Sequence, residues 1–358
     1  MKLVGLVVSV MSLSVLSSAQ GQVDARPAVP LEPIAAIVDA FRSHDIVALD
    51  EGNHGNEQGH AFRLSLIRDE RFSRTVNDIV VEVGSARYQD VMDRFTAGED
   101  VPYNVLRQVW ENITQPHGPA DRPIYEEFFR AVREVNASRP RERRLRVLLG
   151  EPPIDWDAVR TNDDMMRWLF QRDTHAVEVI QREVLAKKRH ALVVYGGLHF
   201  LRNPSQPETP GIVVRLERAG AKVFNIWTNT YADLDALQSD VRSWPTPSLA
   251  TIRGNRLGAE AFARYYPFEP MPLSPQNAAS VPAEQSKWRS LPAQEQFDAL
   301  LYVGPPSAVT YSRMSRALCA DAAYMKMRLQ RISLMGGLMA AAQADQLRRY
   351  CGLANLRR

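Results

Sequence analysis

Two short apolar runs end in histidine-bearing polar segments. Ile46-Val47-Ala48-Leu49 leads straight into Asp50-Glu51-Gly52-Asn53-His54-Gly55, and Ala191-Leu192-Val193-Val194 leads into Tyr195-Gly196-Gly197-Leu198-His199. Ionisable clusters at the carboxyl ends of apolar strands are where open α/β sheets place their chemistry, because there the chain leaves the core and side chains converge on a crevice. Two such ends point to one site.

The rest of the chain fits that frame. Further strands are expected at Ile79 to Val83, Leu145 to Leu149, Val223 to Trp227 and Ala299 to Val303. Apolar spacing predicts helices over Glu57 to Arg68, Tyr88 to Phe95, Val105 to Glu111, Ile124 to Asn136, Asp163 to Lys187 and Gly211 to Ala219. This alternation implies a three-layer α/β fold, a mostly parallel central sheet with helices on both faces, followed by a C-terminal helical segment. Residues 244–295 are rich in Pro, Ala and polar side chains and are expected to form loops and short helices.

Met1-Lys2, the apolar stretch Leu3 to Leu16 and Ser17-Ser18-Ala19 have the pattern of a secretory signal peptide, with cleavage expected after Ala19. The expected organisation is a signal peptide over 1–19, a linker over 20–39, the α/β domain over 40–305 and a helical extension over 306–358. No later segment is apolar for long enough to span a bilayer, so the expected product is periplasmic or secreted, without an integral membrane segment once the signal is removed. A net charge of +3, from 44 basic and 41 acidic residues, gives no bias toward nucleic acid. Cys319 and Cys351 form a candidate disulfide in an oxidising compartment, with two buried thiols as the alternative.

His54, in a turn entering a helix, is a candidate general base kept neutral by the positive helix terminus, with Glu51 orienting its ring. The structural alternative is a capping loop in which Asn53 and Asn56 satisfy backbone donors. Glu82 interrupts the apolar strand Ile79-Val80-Val81-Glu82-Val83 and needs a partner if buried. If its strand neighbours the first, it lies beside Glu51; a structural salt bridge is the competing role. His199, after paired glycines, is a second acid/base or an oxyanion stabiliser. Arg172 and Asp173 fall near the inward side of the long helix, as substrate-binding residues or as a brace between helix and sheet. His44, His60, His117, His175 and His190 have no comparable setting.

These residues resemble the erythromycin esterase-like family, within a wider group that includes ChaN-like haem-binding and TIKI/TraB-type proteins. The matches are Glu51-Gly52-Asn53-His54-Gly55 for Glu-x-x-His-Gly, Glu82 after the second strand, Arg172-Asp173 with Ala176, and Gly196-x-x-His199. The resemblance covers about residues 40–305. It implies that His54 activates water to cleave an ester, lactone or related acyl bond of a small-molecule substrate. Glu51, Glu82 and His199 would surround that histidine, and no cofactor would be required. Asp50 stands where the family has Gly, and fewer positions separate the histidines than in macrolide esterases. The alternatives are a TIKI-type hydrolase using a divalent metal at the same cluster, and a ChaN-like protein that binds haem or another small ligand without catalysis.

Overall fold

The computed structural model describes residues 26–204, 209–268 and 283–352, so the expected signal peptide lies outside the described residues. Its centre is a sheet of β1 (Ile46–Asp50), β2 (Asp78–Ser85), β3 (Arg146–Glu151), β4 (Ala191–Tyr195), β5 (Val223–Asn229), β6 (Ser248–Thr251) and β7 (Ala299–Tyr302). The order is β3-β2-β4-β1-β5-β7-β6. Every neighbouring pair is parallel except β6 with β7.

Burial on both faces explains why the strands read as unbroken apolar runs. Alternate residues divide between two cores. Val47, Leu49, Ile79, Val81, Leu192 and Val194 join one cluster with Phe62, Val91 and Phe129 from the helices Glu57–Arg68, Gln89–Ala97 and Pro123–Ala137. Ile46, Ala48, Val80, Ala191 and Val193 join another with Ala176, Ile180 and Leu216 from Arg172–Glu183 and Ile212–Arg218.

Three expectations are corrected. The linker ends early: Pro33–Ala40 is a helix whose first N–H groups, on Ile34 and Ala35, donate to the Glu32 carboxylate, and its Ile37 is fully buried. Within 244–295, β6 is a four-residue strand, too short and too closely preceded by Pro245 and Pro247 to show a period. The long helix is two helices, Asn162–Phe170 and Arg172–Glu183, which meet at Gln171.

The C-terminal helices Arg316–Ala320, Ala322–Ser333 and Gly337–Tyr350 pack against the body of the protein. Arg328, fully buried, pairs with the carboxylate of Asp121 and donates to the Tyr324 hydroxyl. Cys319 and Cys351 are bonded, Cα to Cα 5.7 Å, across a separation of 32 residues. Closing a loop of that size is worth roughly 3–4 kcal/mol. Reduction is therefore expected to speed hydrogen exchange along Gly337–Tyr350 while the sheet stays protected, as read by exchange mass spectrometry. Unchanged exchange in that helix would assign its anchoring to packing and the Arg328–Asp121 pair instead.

Among the described residues, no helix is long and apolar enough to cross a membrane.

Candidate active site

The site forms where β2, β4 and β1 end side by side. Glu82 and Glu51 are not on neighbouring strands, because β4 lies between them. That insertion brings the chain after β4 to the centre of the site. A Cβ placed on Gly196 would lie 3.6 Å from Glu82 Oε2, 3.9 Å from His199 Cδ2 and 3.9 Å from His54 Cε1. One point thus touches all three side chains.

After β1, Gly52 (φ 71°) and Gly55 (φ 83°) take left-handed conformations that fold the loop back, returning His54 over Glu51. Asn56 caps the following helix, accepting from Gly59 N–H at 2.7 Å, and its amide donates to the Glu51 and Asn53 carbonyls. The capping role is thus present, and His54 is held as well. Its Nδ1 bonds the Glu51 carboxylate, which is buried with the Arg63 guanidinium 3.9 Å away. Across the site, His199 Nδ1 lies 2.5 Å from Asp173 Oδ1. Each ring is oriented by a carboxylate at Nδ1, and each Nε2 lies 3.8 Å from the same atom, Glu82 Oε1. The His54 side chain is 28% exposed and that of His199 20%, so both rings meet solvent.

Glu82 is fixed from several directions. Oε1 accepts from Gln115 Nε2 at 2.6 Å and from Arg172 Nη2, and Oε2 accepts from Gly196 N–H at 2.7 Å. Arg172 also reaches Glu151 at 2.5 Å, and Glu151 takes the N–H and hydroxyl of Thr114. Arg172 and Asp173, expected as substrate-binding residues or as a brace between helix and sheet, make these contacts: Arg172 braces two buried acids and Asp173 orients His199. Arg172 also lines the cavity.

The electrostatics follow from burial and these contacts. Burial would raise the Glu82 carboxyl, but the neighbouring His54, Arg172 and His199 charges and the Gly196 N–H hold it well below the usual range. For His54, desolvation opposes the imidazolium, yet the Glu51 and Glu82 charges prevail and raise it above 6.5. The expectation that a helix terminus keeps this ring neutral fails because two carboxylates outweigh a partial charge. His199 is likewise raised, with Asp173 overcoming desolvation. Burial pushes Asp50 up to about 7, against N–H bonds from Gly52 and Thr228.

These groups border a cavity of about 350 Å³. Sequence reasoning missed several of its walls. His117, expected to be structural or exposed, faces the cavity and stacks against Tyr350 with centroids 6.0 Å apart; burial drives its pKa down to about 3. Gln343, Gln346 and Tyr350 come from the C-terminal helix, and Trp227, Tyr231 and Tyr266 form an aromatic side. A Gln-x-x-Gln-x-x-x-Tyr spacing on one helix face was the only available signal for the former. Glu51 is not a wall of this cavity; it stands behind His54, beside a small void lined by Arg63 and Tyr125.

Gly196→Ala tests the central position. The added methyl would sit at ordinary contact distances, and the backbone there (φ −61°, ψ 137°) suits alanine. Stability should change by no more than about 1 kcal/mol, while the space between the imidazoles shrinks. Thermal denaturation of the variant checks the first half, and a pH titration of the two imidazoles, expected to shift, the second.

Neither a protein-family model nor a curated protein sequence matches the chain. Among solved structures, it is similar to a structural-genomics target protein from Bacillus cereus, with TM-score 0.50 and 12% identity over 81% of this chain and 97% of that one. A succinoglycan biosynthesis protein aligns with TM-score 0.48 and 10% identity, covering 80% and 96% of the two chains. The ChaN protein of Campylobacter jejuni, whose structure shows cofacial haem binding, aligns with TM-score 0.36 and 14% identity over 54% and 85%. At such identities, what this chain shares with the Bacillus cereus protein is the mostly parallel α/β fold.

Proposed function

We propose that the protein is an exported, erythromycin esterase-like hydrolase that cleaves an ester, lactone or related acyl bond of a small molecule with water activated by His54. The observation that carries this is the pair of carboxylate-oriented imidazoles whose Nε2 atoms share Glu82 Oε1 at 3.8 Å on the wall of one cavity. With Nδ1–H donated to Glu51, the His54 Nε2 lone pair takes a proton from water as the oxygen adds to the acyl carbon. His199, as imidazolium, stabilises the developing oxyanion. Collapse expels the alkoxide, which takes back the proton held by His54. Glu82 stays ionised throughout and stabilises both cations. The bonded cysteines fit an oxidising compartment outside the cytoplasm.

Among the described residues, Glu51, His54 and Glu82 could present ligand atoms within 4.8 Å of one another to a metal. The donor set fits poorly. Glu82 already accepts from Gln115, Arg172 and Gly196, and a cation there would compete with a guanidinium. A panel of esters and lactones, assayed with and without chelator, separates the cases. Turnover insensitive to chelation is expected; loss on chelation with recovery on adding Zn or Mn would assign a metal-dependent hydrolase.

The pH profile follows from the raised imidazole. His54 must be neutral to accept a proton and His199 protonated to hold the oxyanion, so kcat/KM is expected to climb with pH as His54 loses its proton, through a midpoint above 6.5, and to fall again as His199 loses its own. Stability moves opposite to the rising limb. A histidine raised on folding stabilises the protein fully below its unfolded pKa, and that contribution disappears as pH rises through the folded value. A rate profile flat from pH 5 to 8 would remove His54 from the proton transfer.

A further inference from the structure

Among the described residues, the buried carboxylates are Asp50, Glu51, Asp78, Glu82, Asp121 and Glu151. Five have a cationic or imidazole partner: Glu51 has His54 and Arg63, Asp78 has Arg189, Glu82 and Glu151 share Arg172, and Asp121 has Arg328. Asp50 has none. Its oxygens accept backbone N–H bonds from Gly52 at 2.8 Å and from Thr228 at 3.0 Å, which aim the carboxylate without supplying a counter-charge. The cavity's own guanidinium cannot serve, because Arg172 is held by Glu82 and Glu151. Arg122 lies behind Tyr350, 4.4 Å from that ring's centroid, and donates to the His54 and Pro119 carbonyls.

Asp50 shares its part of the cavity wall with three aromatic rings. Trp227 and Tyr266 have centroids 6.2 Å apart at 86°, and Tyr266 and Tyr231 5.9 Å apart at 84°. Phe297 stacks on Trp227 at 5.7 Å and Phe262 packs against it perpendicularly at 5.0 Å, which fixes the ring where it borders the cavity. A Cβ on Gly197 would come within 2.5 Å of Trp227 Cζ3 and 2.8 Å of Asp50 Cγ, so the missing side chain is what lets ring and carboxylate border the same space. Perpendicular aromatic rings with a fixed carboxylate are complementary to a bulky, weakly hydrated cation, because ring faces attract positive charge and the alkyl groups bury apolar area. A small, strongly hydrated ion would gain less.

We infer that Asp50, Trp227, Tyr231 and Tyr266 form a subsite for an organic cation, a quaternary or alkylated ammonium group, at the β5 side of the cavity. The subsite goes beyond the hydrolytic reading and stands whether or not His54 activates water. A substrate carrying such a group would place it here, beside the imidazoles.

Calorimetric titration with choline and with its uncharged isostere 3,3-dimethylbutan-1-ol tests the assignment. Choline should bind saturably to the full chain, and at least about tenfold more tightly than the isostere. His54→Ala should keep that binding, which separates this test from the fate of the hydrolase proposal. Asp50→Asn should bring choline down to the level of the isostere. Because Asp50 anchors backbone N–H groups, Tyr231→Leu, at a partly exposed position, provides the second arm and should weaken choline severalfold while circular dichroism stays native. Equal binding of the two probes, binding of neither, or choline affinity untouched by both Asp50→Asn and Tyr231→Leu would overturn it.

Discussion

His54→Ala is expected to lower kcat/KM for a responsive ester by about 10²–10⁴-fold, the range a positioned general base contributes, with the fold retained. The side chain is partly exposed and its backbone is held independently, through the Arg122 bond to its carbonyl and the Asn56 cap beside it. Losing the ring removes a base without opening a core cavity. Glu51 behind it keeps the nearby Arg63 guanidinium and the Tyr125 hydroxyl at 3.4 Å, so the carboxylate is not stranded. His199→Ala should cost less if its task is oxyanion stabilisation, since other polar groups of the cavity remain. Turnover in His54→Ala equal to that of the unmodified protein would reject the assignment of the base.

Arg172→Met is the substitution expected to harm folding most. The guanidinium serves two carboxylates at once, Glu82 at 2% side-chain exposure and Glu151 at 0%. Removing one partner of a buried ion pair leaves an uncompensated charge and costs about 3–5 kcal/mol; here Glu151 loses its cationic partner, while Glu82 keeps the two imidazoles. Glu82 is held low by its cationic neighbours, so its contribution is present above the ordinary carboxylate range and is lost as pH falls. The stability gap between the native chain and Arg172→Met should therefore be largest near neutral pH and narrow in acid, where Glu82 takes up a proton. Urea unfolding at pH 7 and pH 4 measures it; a gap below 1 kcal/mol at pH 7 would mean that the two imidazoles with Gln115 and Gly196 satisfy Glu82, and Thr114 satisfies Glu151, without the guanidinium. Arg172→Lys should fall between, since one ammonium lacks the planar reach to both carboxylates.

What was legible in the sequence was what burial writes into it. β1, β2 and β4 show as apolar runs because both faces of the sheet are covered, and Glu82 stands out because a carboxylate in such a run demands partners. The two histidines stand out because they follow strand ends. What stayed hidden depends on contacts that no local pattern encodes. β4 enters between β1 and β2, so Glu82 reaches His54 across Gly196 rather than from an adjacent strand. Asp173 belongs to His199 although Arg172, its neighbour in sequence, belongs to Glu82 and Glu151. The helix Gly337–Tyr350 is an ordinary mixture of Ala, Gln and Leu, and only its docking, with a disulfide at its end, turns Gln343, Gln346 and Tyr350 toward the cavity. His117 looked like any loop histidine for the same reason.

His54 and His199 share the field of Glu82, and an NMR pH titration of the two imidazoles tests that without needing a substrate. Both rings are expected to titrate above 6.5 in the native chain, and both should move downward in Glu82→Gln, since one carboxylate supports both cations. A substitution that moves only one ring, or two rings already titrating like free histidine, would contradict a single site built around Glu82.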